Sequence, residues 1–185
     1  MQNTWIDKQI TYDGTQLRSR WIQDQTGVEG DAIAAFIGPA DVPIENMVDL
    51  EDVARNAPIF SKNMLHFIVE HFNCELPLAI ARQRILTSIA TDELNAEIGN
   101  YSIKRLGDDI YDGEYKLSVS IATFSPVSSL IHFALNIISD ETPVPTKGLA
   151  DYGIEPRSFA DKITKRFCEE IKSMEKARHK VRWVK

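Results

Sequence analysis

The amino-acid sequence predicts an α+β fold: a mixed, largely antiparallel sheet with helices packed mainly on one face. Two observations carry this. Period-two alternation runs through Met64 to Phe72 and through much of Ser102 to Ile138, which is the pattern of strands. Two other stretches repeat at helical spacing. One holds Leu78, Ala81, Ile85, Leu86, Ile89 and Leu94, the other Phe159, Ile163, Phe167, Ile171 and Met174. Each of these stripes needs an apolar sheet face to cover.

Length and composition bound the rest. At 185 residues, 43% apolar and 26% charged, the chain is expected to form one domain with a full core: an N-terminal segment 1–13, a core 14–172 and a basic tail 173–185. Met1 to Gly14 has no cationic segment followed by an apolar run, and no stretch approaches the length of a membrane span, so a cytoplasmic location is the expectation. Cys74 and Cys168 fit no metal or redox spacing, and His66, His71, His132 and His179 are scattered, so no metal site is expected. The net charge of −6 argues against general nucleic-acid binding. Residues 172–185 nevertheless gather Lys172, Lys176, Arg178, Lys180, Arg182 and Lys185 around one acid, Glu175. Cations favour the C-terminal end of a helix, which explains that cluster more simply than a nucleic-acid contact does.

Taken in order, Gln9 to Tyr12 reads as a short strand. Thr15 is placed as the N-cap of a helix through Leu17, Trp21 and Ile22 that stops before Gly27. Asp31 to Val42 is an almost unbroken apolar run closed by Gly38-Pro39, the pattern of a strand buried on both faces. Pro43 to Pro58 is less regular, with a short helix at Asp49 to Asn56. In Met64 to Phe72, Leu65, Phe67 and Val69 alternate with His66, Ile68 and Glu70, which sends His66 and His71 to opposite faces. Pro77 suits the first turn of a helix that ends near Gly99. Ser139 to Pro156, with Pro143, Pro145, Gly148 and Gly153, is a surface connection or lid, and Arg157 to about Lys180 is an amphipathic helix.

The chain is organised around Gly107 to Phe124. Asp112-Gly113 is a preferred pair for a two-residue type I′ turn, which would set Tyr111 opposite Glu114, Ile110 opposite Tyr115 and Asp109 opposite Lys116. Beyond the turn, Leu117, Val119 and Ile121 alternate with Lys116, Ser118, Ser120 and Ala122. In the next strand Ile131, Phe133, Leu135 and Ile137 alternate with His132, Ala134 and Asn136. If the apolar faces coincide, Lys116, Ser118, Ser120, His132 and Asn136 share one surface, either the floor of a ligand cavity or the solvated side of an antiparallel sheet.

The element order, with Asp108-Asp109-Ile110-Tyr111, Lys116-Leu117 and Ala134-Leu135-Asn136-Ile137, resembles the catalytic domain of biotin and lipoate protein ligases from about Gly14 to Lys172. In those enzymes the hairpin carries an Asn-Asp pair, a turn and a lysine before Leu or Ile. The resemblance implies that Lys116 contacts a ligand carboxylate and Asp109 orients it, because acyl-adenylate chemistry develops negative charge that a held ammonium stabilises. Asp108, Ser118, Ser120, His132, Asn136 and Thr15 complete the candidate substrate-binding set. The departure is the glycine- and arginine-rich loop that wraps the adenylate in the ligases. Pro43 to Asn56 stands there with no glycine, one arginine (Arg55) and an acidic surplus, so ATP, the cofactor the resemblance implies, is disfavoured.

On Gly107-Asp-Asp-Ile-Tyr, Lys116-Leu-Ser-Val-Ser-Ile-Ala-Thr and Leu130-Ile-His-Phe, the whole chain is identified as a member of a mainly archaeal family known only as a domain of unknown function, number three hundred and sixty-six. Two functions stay open: a ligase or acyltransferase relative acting on a small carboxylic acid, and a binding protein that has kept the cavity and lost adenylation. A nucleic-acid contact through the tail is a third. The expected partner is a small carboxylic-acid ligand, with no membrane, and a homodimer is left open.

Overall fold

The computed structural model describes residues 1–57, 59–72, 75–140, 142 and 144–184. Pro58, Cys74, Pro143 and Lys185, which entered the sequence reading, lie outside them. Strands β1 (Gln2–Trp5), β2 (Ala32–Val42), β3 (Ile59–Phe72), β7 (Ser118–Phe124) and β8 (Ser128–Asn136) form a five-stranded sheet in the order β1-β2-β3-β8-β7. In it β1 and β2 pair in parallel, and β2–β3, β3–β8 and β8–β7 pair antiparallel. A smaller antiparallel sheet is built from β4 (Ile103–Leu106), β5 (Asp109–Asp112) and β6 (Tyr115–Lys116).

One face of the large sheet presents Ile33, Leu65, Phe67, Val69, Phe133 and Leu135, all buried. Helices α3 (Leu76–Ile98) and α4 (Pro156–Ala177) cover it with Leu86, Ala90 and Leu94, and with Phe159, Ile163 and Phe167. Burying each of these large side chains is worth about 1.5–3 kcal/mol, and the stacking of Phe67 on Phe133 at 5.7 Å adds to it. On the opposite face the short helix α1 (Trp21–Thr26) packs Trp21 and Ile22 on Ala34, Phe36 and Ile68. The α+β architecture with its two long helices on one face follows the sequence pattern, as do the Asp31 to Val42 strand and the helix that Asp49 caps, α2 (Leu50–Arg55). His66 and His71 do lie on opposite faces: His66 stacks beside Phe36 and His71 beside Phe167.

Three local expectations are corrected. The first strand is Gln2–Trp5, and Gln9 to Tyr12 contributes only a bridge from Tyr12 to Ala40. The first helix begins at Trp21, because the Asp13 carboxylate takes both the backbone N–H and the hydroxyl of Thr15 and holds a turn there. Arg20, at φ 62°, is fixed just before the helix by donating its backbone N–H to both oxygens of the buried Glu70. In α3 the buried face is Ala79, Gln83, Leu86, Ala90 and Leu94, while Leu78 and Ala81 face outward. Polar Thr87, Thr91 and Asn95 share that face because each is satisfied, the two threonines by the preceding helical turn and Asn95 by both backbone groups of Ile103.

Candidate functional site

The hairpin loop is Gly113-Glu114, so Asp112 pairs with Tyr115 and Tyr111 with Lys116. This displaces the expected register. Gly113 has φ 60° and no non-glycine residue in the hairpin has positive φ, as in a type II′ turn, which needs glycine only at its first central position. Lys116 therefore faces Tyr111 directly, and Asp109, two residues away on the same face, is its diagonal neighbour. The side chains still meet, with Lys116 Nζ at 2.9 Å from Asp109 Oδ2.

Burial alone would lower the pKa of Lys116, but the hydrogen bond and charge of Asp109 outweigh it and the net direction is upward. Burial pushes the Asp109 carboxyl up, only partly offset by Lys116, and Asp108 adds to the rise. The lysine is thus held in its cationic form. Asp108 itself is spent on Arg84 at 2.7 Å and Gln83 at 2.9 Å.

At Leu117 the chain leaves the small sheet for the large one. Its N–H donates to Ile110 O at 2.8 Å, and its carbonyl accepts from Asn136 N at 2.9 Å. Leu117 enters the helix-side core, and Ser118 and Ser120, opposite Leu135 and Phe133, point to the same side. Two consecutive residues facing one way invert the alternation. Val119 and Ile121 consequently lie on the side of His132, and Ser118 and Ser120 do not join it, contrary to the sequence expectation. Their hydroxyls are taken inside the fold, by Ile110 N at 2.8 Å and Gln83 Nε2 at 2.7 Å.

The open side of the seam encloses a cavity of about 580 Å³. Lys116, Asp109 and Asp108 stand along one flank, and Val119, Ile121, Met64 and His132 form apolar and aromatic floor. Asn136 closes a corner, its side chain spanning from Ser61 to the carbonyl of Lys147. Ser118 and Ser120 border the cavity, their hydroxyl oxygens already accepting from Ile110 N and Gln83 Nε2. Thr15 does not line it.

Two further walls come from segments read as connections. The stretch after β8 runs back as a strap: Thr146 bridges to Lys116, Lys116 N donates to Pro145 O, and Lys147 N donates to Lys116 O. It is fastened by Asp112, which accepts from Lys147 Nζ at 2.7 Å and Tyr152 Oη at 2.8 Å; the hydrogen bond from Lys147 holds the Asp112 carboxyl below its usual range. The other wall is α2, which brings Asp49, Glu51, Asp52 and Arg55 to the rim. Asp49 caps its own helix, and Arg55 pairs with Glu51 at 3.3 Å.

The floor runs into an aromatic stack that the sequence did not single out. Tyr12 and His132 are parallel at 3.6 Å between centroids, and His66 continues the stack at 5.4 Å from His132 and 4.9 Å from Phe36. His66 Nε2 lies 3.0 Å from Gly38 O, and its Nδ1 lies 3.1 Å from His132 Nε2. Burial lowers the His66 pKa to about 4 and drives that of His132 well down, so both rings are neutral. Gly38 is required for this approach: a Cβ there would fall 1.8 Å from Ile10 O, in the segment that delivers Tyr12. Among the described residues no group of three or more His, Cys, Asp or Glu is placed to hold a metal, and no helix is long and apolar enough to cross a membrane.

The fold is that of the biotin and lipoate protein ligases. Biotin protein ligase from Aquifex aeolicus, solved as a point mutant in complex with biotin, superposes with a TM-score of 0.62 at 14% identity over 95% of this chain and 72% of that one. A putative lipoate protein ligase from T. acidophilum with bound lipoic acid gives 0.57 at 13% over 77% and 73%. At such identities the likeness concerns the fold. The chain belongs to the family described as Domain of unknown function (DUF366), whose profile matches residues 1–182. An uncharacterised protein of Methanocaldococcus jannaschii is 35% identical over 161 residues, 84% of this chain and 72% of its own. A protein of unknown function from Pyrococcus horikoshi has the same fold at a TM-score of 0.92, with 37% identity and full coverage of both chains.

Proposed function

We propose that this protein binds a small carboxylic acid in the seam cavity, with the carboxylate held by Lys116. The observation that carries this is the state of Lys116: a cation at the cavity flank, held by one carboxylate and by strap backbone on both of its own peptide groups. An ammonium has three donors, and Asp109 accounts for one. A charge-assisted hydrogen bond to a ligand carboxylate contributes about 1.5–3 kcal/mol.

Binding without adenylation is the reading the rim supports. The wall formed by α2 carries three acids against Arg55, which is already paired, and gives a triphosphate neither charge nor a glycine cradle. Adenylation is a second reading, favoured by the ligase fold. Native mass spectrometry of the purified protein, followed by calorimetry with the acid it carries, tests the first reading. Wild-type binding that Lys116→Ala abolishes is expected, and equal binding by the variant would overturn it. Carboxylate-dependent exchange of pyrophosphate into ATP would establish the second.

A further inference from the structure

The hydrogen-bond polarity of the cavity floor can be followed atom by atom. A carbonyl oxygen only accepts, so His66 Nε2, 3.0 Å from Gly38 O, carries the proton. In the neutral ring His66 Nδ1 is then a bare lone pair, and His132 Nε2, 3.1 Å away, must donate to it. That fixes the second tautomer too: His132 Nδ1 is an acceptor. Among the described residues nothing donates to this atom. Yet His132 is only 3% exposed and lines the cavity, as does the buried Tyr12 stacked on it, whose hydroxyl likewise has no partner among the described residues. His132 Nδ1 is not among the side-chain atoms sealed from solvent without a partner, so this acceptor is open to the cavity and a donor on a ligand can meet it.

We propose that the ligand ends, away from its carboxylate, in a neutral group with an N–H or O–H donor, of the amide or hydroxyl class, which hydrogen-bonds to His132 Nδ1 beside the Tyr12 hydroxyl. This rests on the assignment of Lys116 to the carboxylate. A second carboxylate binds less well at this end, because its oxygens would face the His132 lone pair and only the Tyr12 hydroxyl could donate to them. Burial supports the neutral state of both rings, since neither imidazole is readily protonated.

The test compares length-matched acids. One series is the monoamides of linear dicarboxylic acids, such as adipamate; the second is their branched-alkyl isosteres, such as isooctanoate, in which methyl groups replace the amide oxygen and nitrogen; the third is the dicarboxylates. Calorimetry on the full chain should show one monoamide binding about fivefold or more tighter than its isostere, the value of one neutral hydrogen bond, and tighter than the dicarboxylate. The preference should fall in Tyr12→Phe, which keeps the stack, and vanish in His132→Phe. Long-range proton–nitrogen NMR on the labelled wild type reads the tautomers directly, independently of how the variants fold. His132 should be protonated on Nε2, and its Nδ1 resonance should move upfield when the monoamide is added. A proton found on Nδ1 of His132 overturns the inference. Isosteres that bind as well as monoamides, and still require Lys116, overturn it while leaving the carboxylate assignment standing. Binding of no acid in any series overturns both.

Discussion

Acidification should destabilise this protein through its stacked histidines. His66 is held at about 4 in the fold and returns to about 6.5 in the unfolded chain. Between those values the unfolded state binds the proton and the folded state does not, so stability falls as pH falls. The sign follows from a folded pKa depressed below the unfolded one: the contribution is complete above about pH 6.5 and is lost as pH drops toward about 4. From pH 7 to pH 5, His66 alone costs about 2 kcal/mol, rising to about 3 kcal/mol below its folded pKa. His132 is shifted the same way by burial, and so is His71, where burial outweighs the bond to Asp31. Asp109 acts in the opposite sense, since its raised pKa favours the fold at low pH and loses that contribution as pH rises. Urea unfolding at several pH values, followed by tryptophan fluorescence, measures the slope. The double variant His66→Phe, His132→Phe should flatten it between pH 7 and pH 5, leaving the His71 part. A wild-type stability unchanged across that interval, or an undiminished slope in the double variant, would refute the assignment of neutral, buried rings.

Three other perturbations follow from the same geometry. Lys116→Ala should change stability by no more than about 1 kcal/mol, the scale of a partly exposed ion pair, while abolishing ligand-induced thermal stabilisation; a large loss of melting temperature without ligand would make the residue structural. Gly38→Ala should destabilise by about 1–3 kcal/mol or more, because its Cβ would meet the Ile10 carbonyl 1.8 Å away, and the loss should appear in thermal unfolding together with displacement of Tyr12. Asp112→Ala should release the strap, costing about 1–3 kcal/mol. Because the pKa of Asp112 is depressed, its contribution is present above the ordinary carboxylate range and disappears as pH falls through it; hydrogen exchange at Thr146 and Lys147 should then rise in the variant at neutral pH and in the wild type at acid pH.

What was legible in the sequence was what is local. The long strands and the α4 stripe follow from periodicity, and the facing of His132 and Asn136 was right because β8 runs without interruption. The hairpin register was misplaced because Asp112-Gly113 and Gly113-Glu114 are both sound turns, and the choice between them is made by the paired strands. A slip of one loop position moves each cross-strand partner by two residues, which preserves the face. The Lys116–Asp109 contact therefore survived a wrong register. The stack of Tyr12, His66 and His132 had no such protection: it joins three distant segments through Gly38, and no spacing within any of them announces it.

The inversion at Leu117 separates two roles that alternation had merged, and it can be tested. Alternation assumes one strand in one sheet, but Leu117 hydrogen-bonds to Ile110 in the small sheet and to Asn136 in the large one. Making both bonds puts Leu117 and Ser118 on the same side, so the Ser118 hydroxyl is turned away from the ligand and toward Ile110 N at 2.8 Å. Removing it leaves a fully buried amide without its acceptor, at a cost of about 1–3 kcal/mol. Ser118→Ala should therefore lower stability in urea unfolding while leaving the affinity for a bound acid within about twofold of wild type, since a group that makes no ligand contact contributes no binding difference. The reverse result, intact stability with affinity lost about fivefold or more, the worth of one hydrogen bond, would mean that Ser118 faces the ligand after all and that the two sheets join differently at this seam.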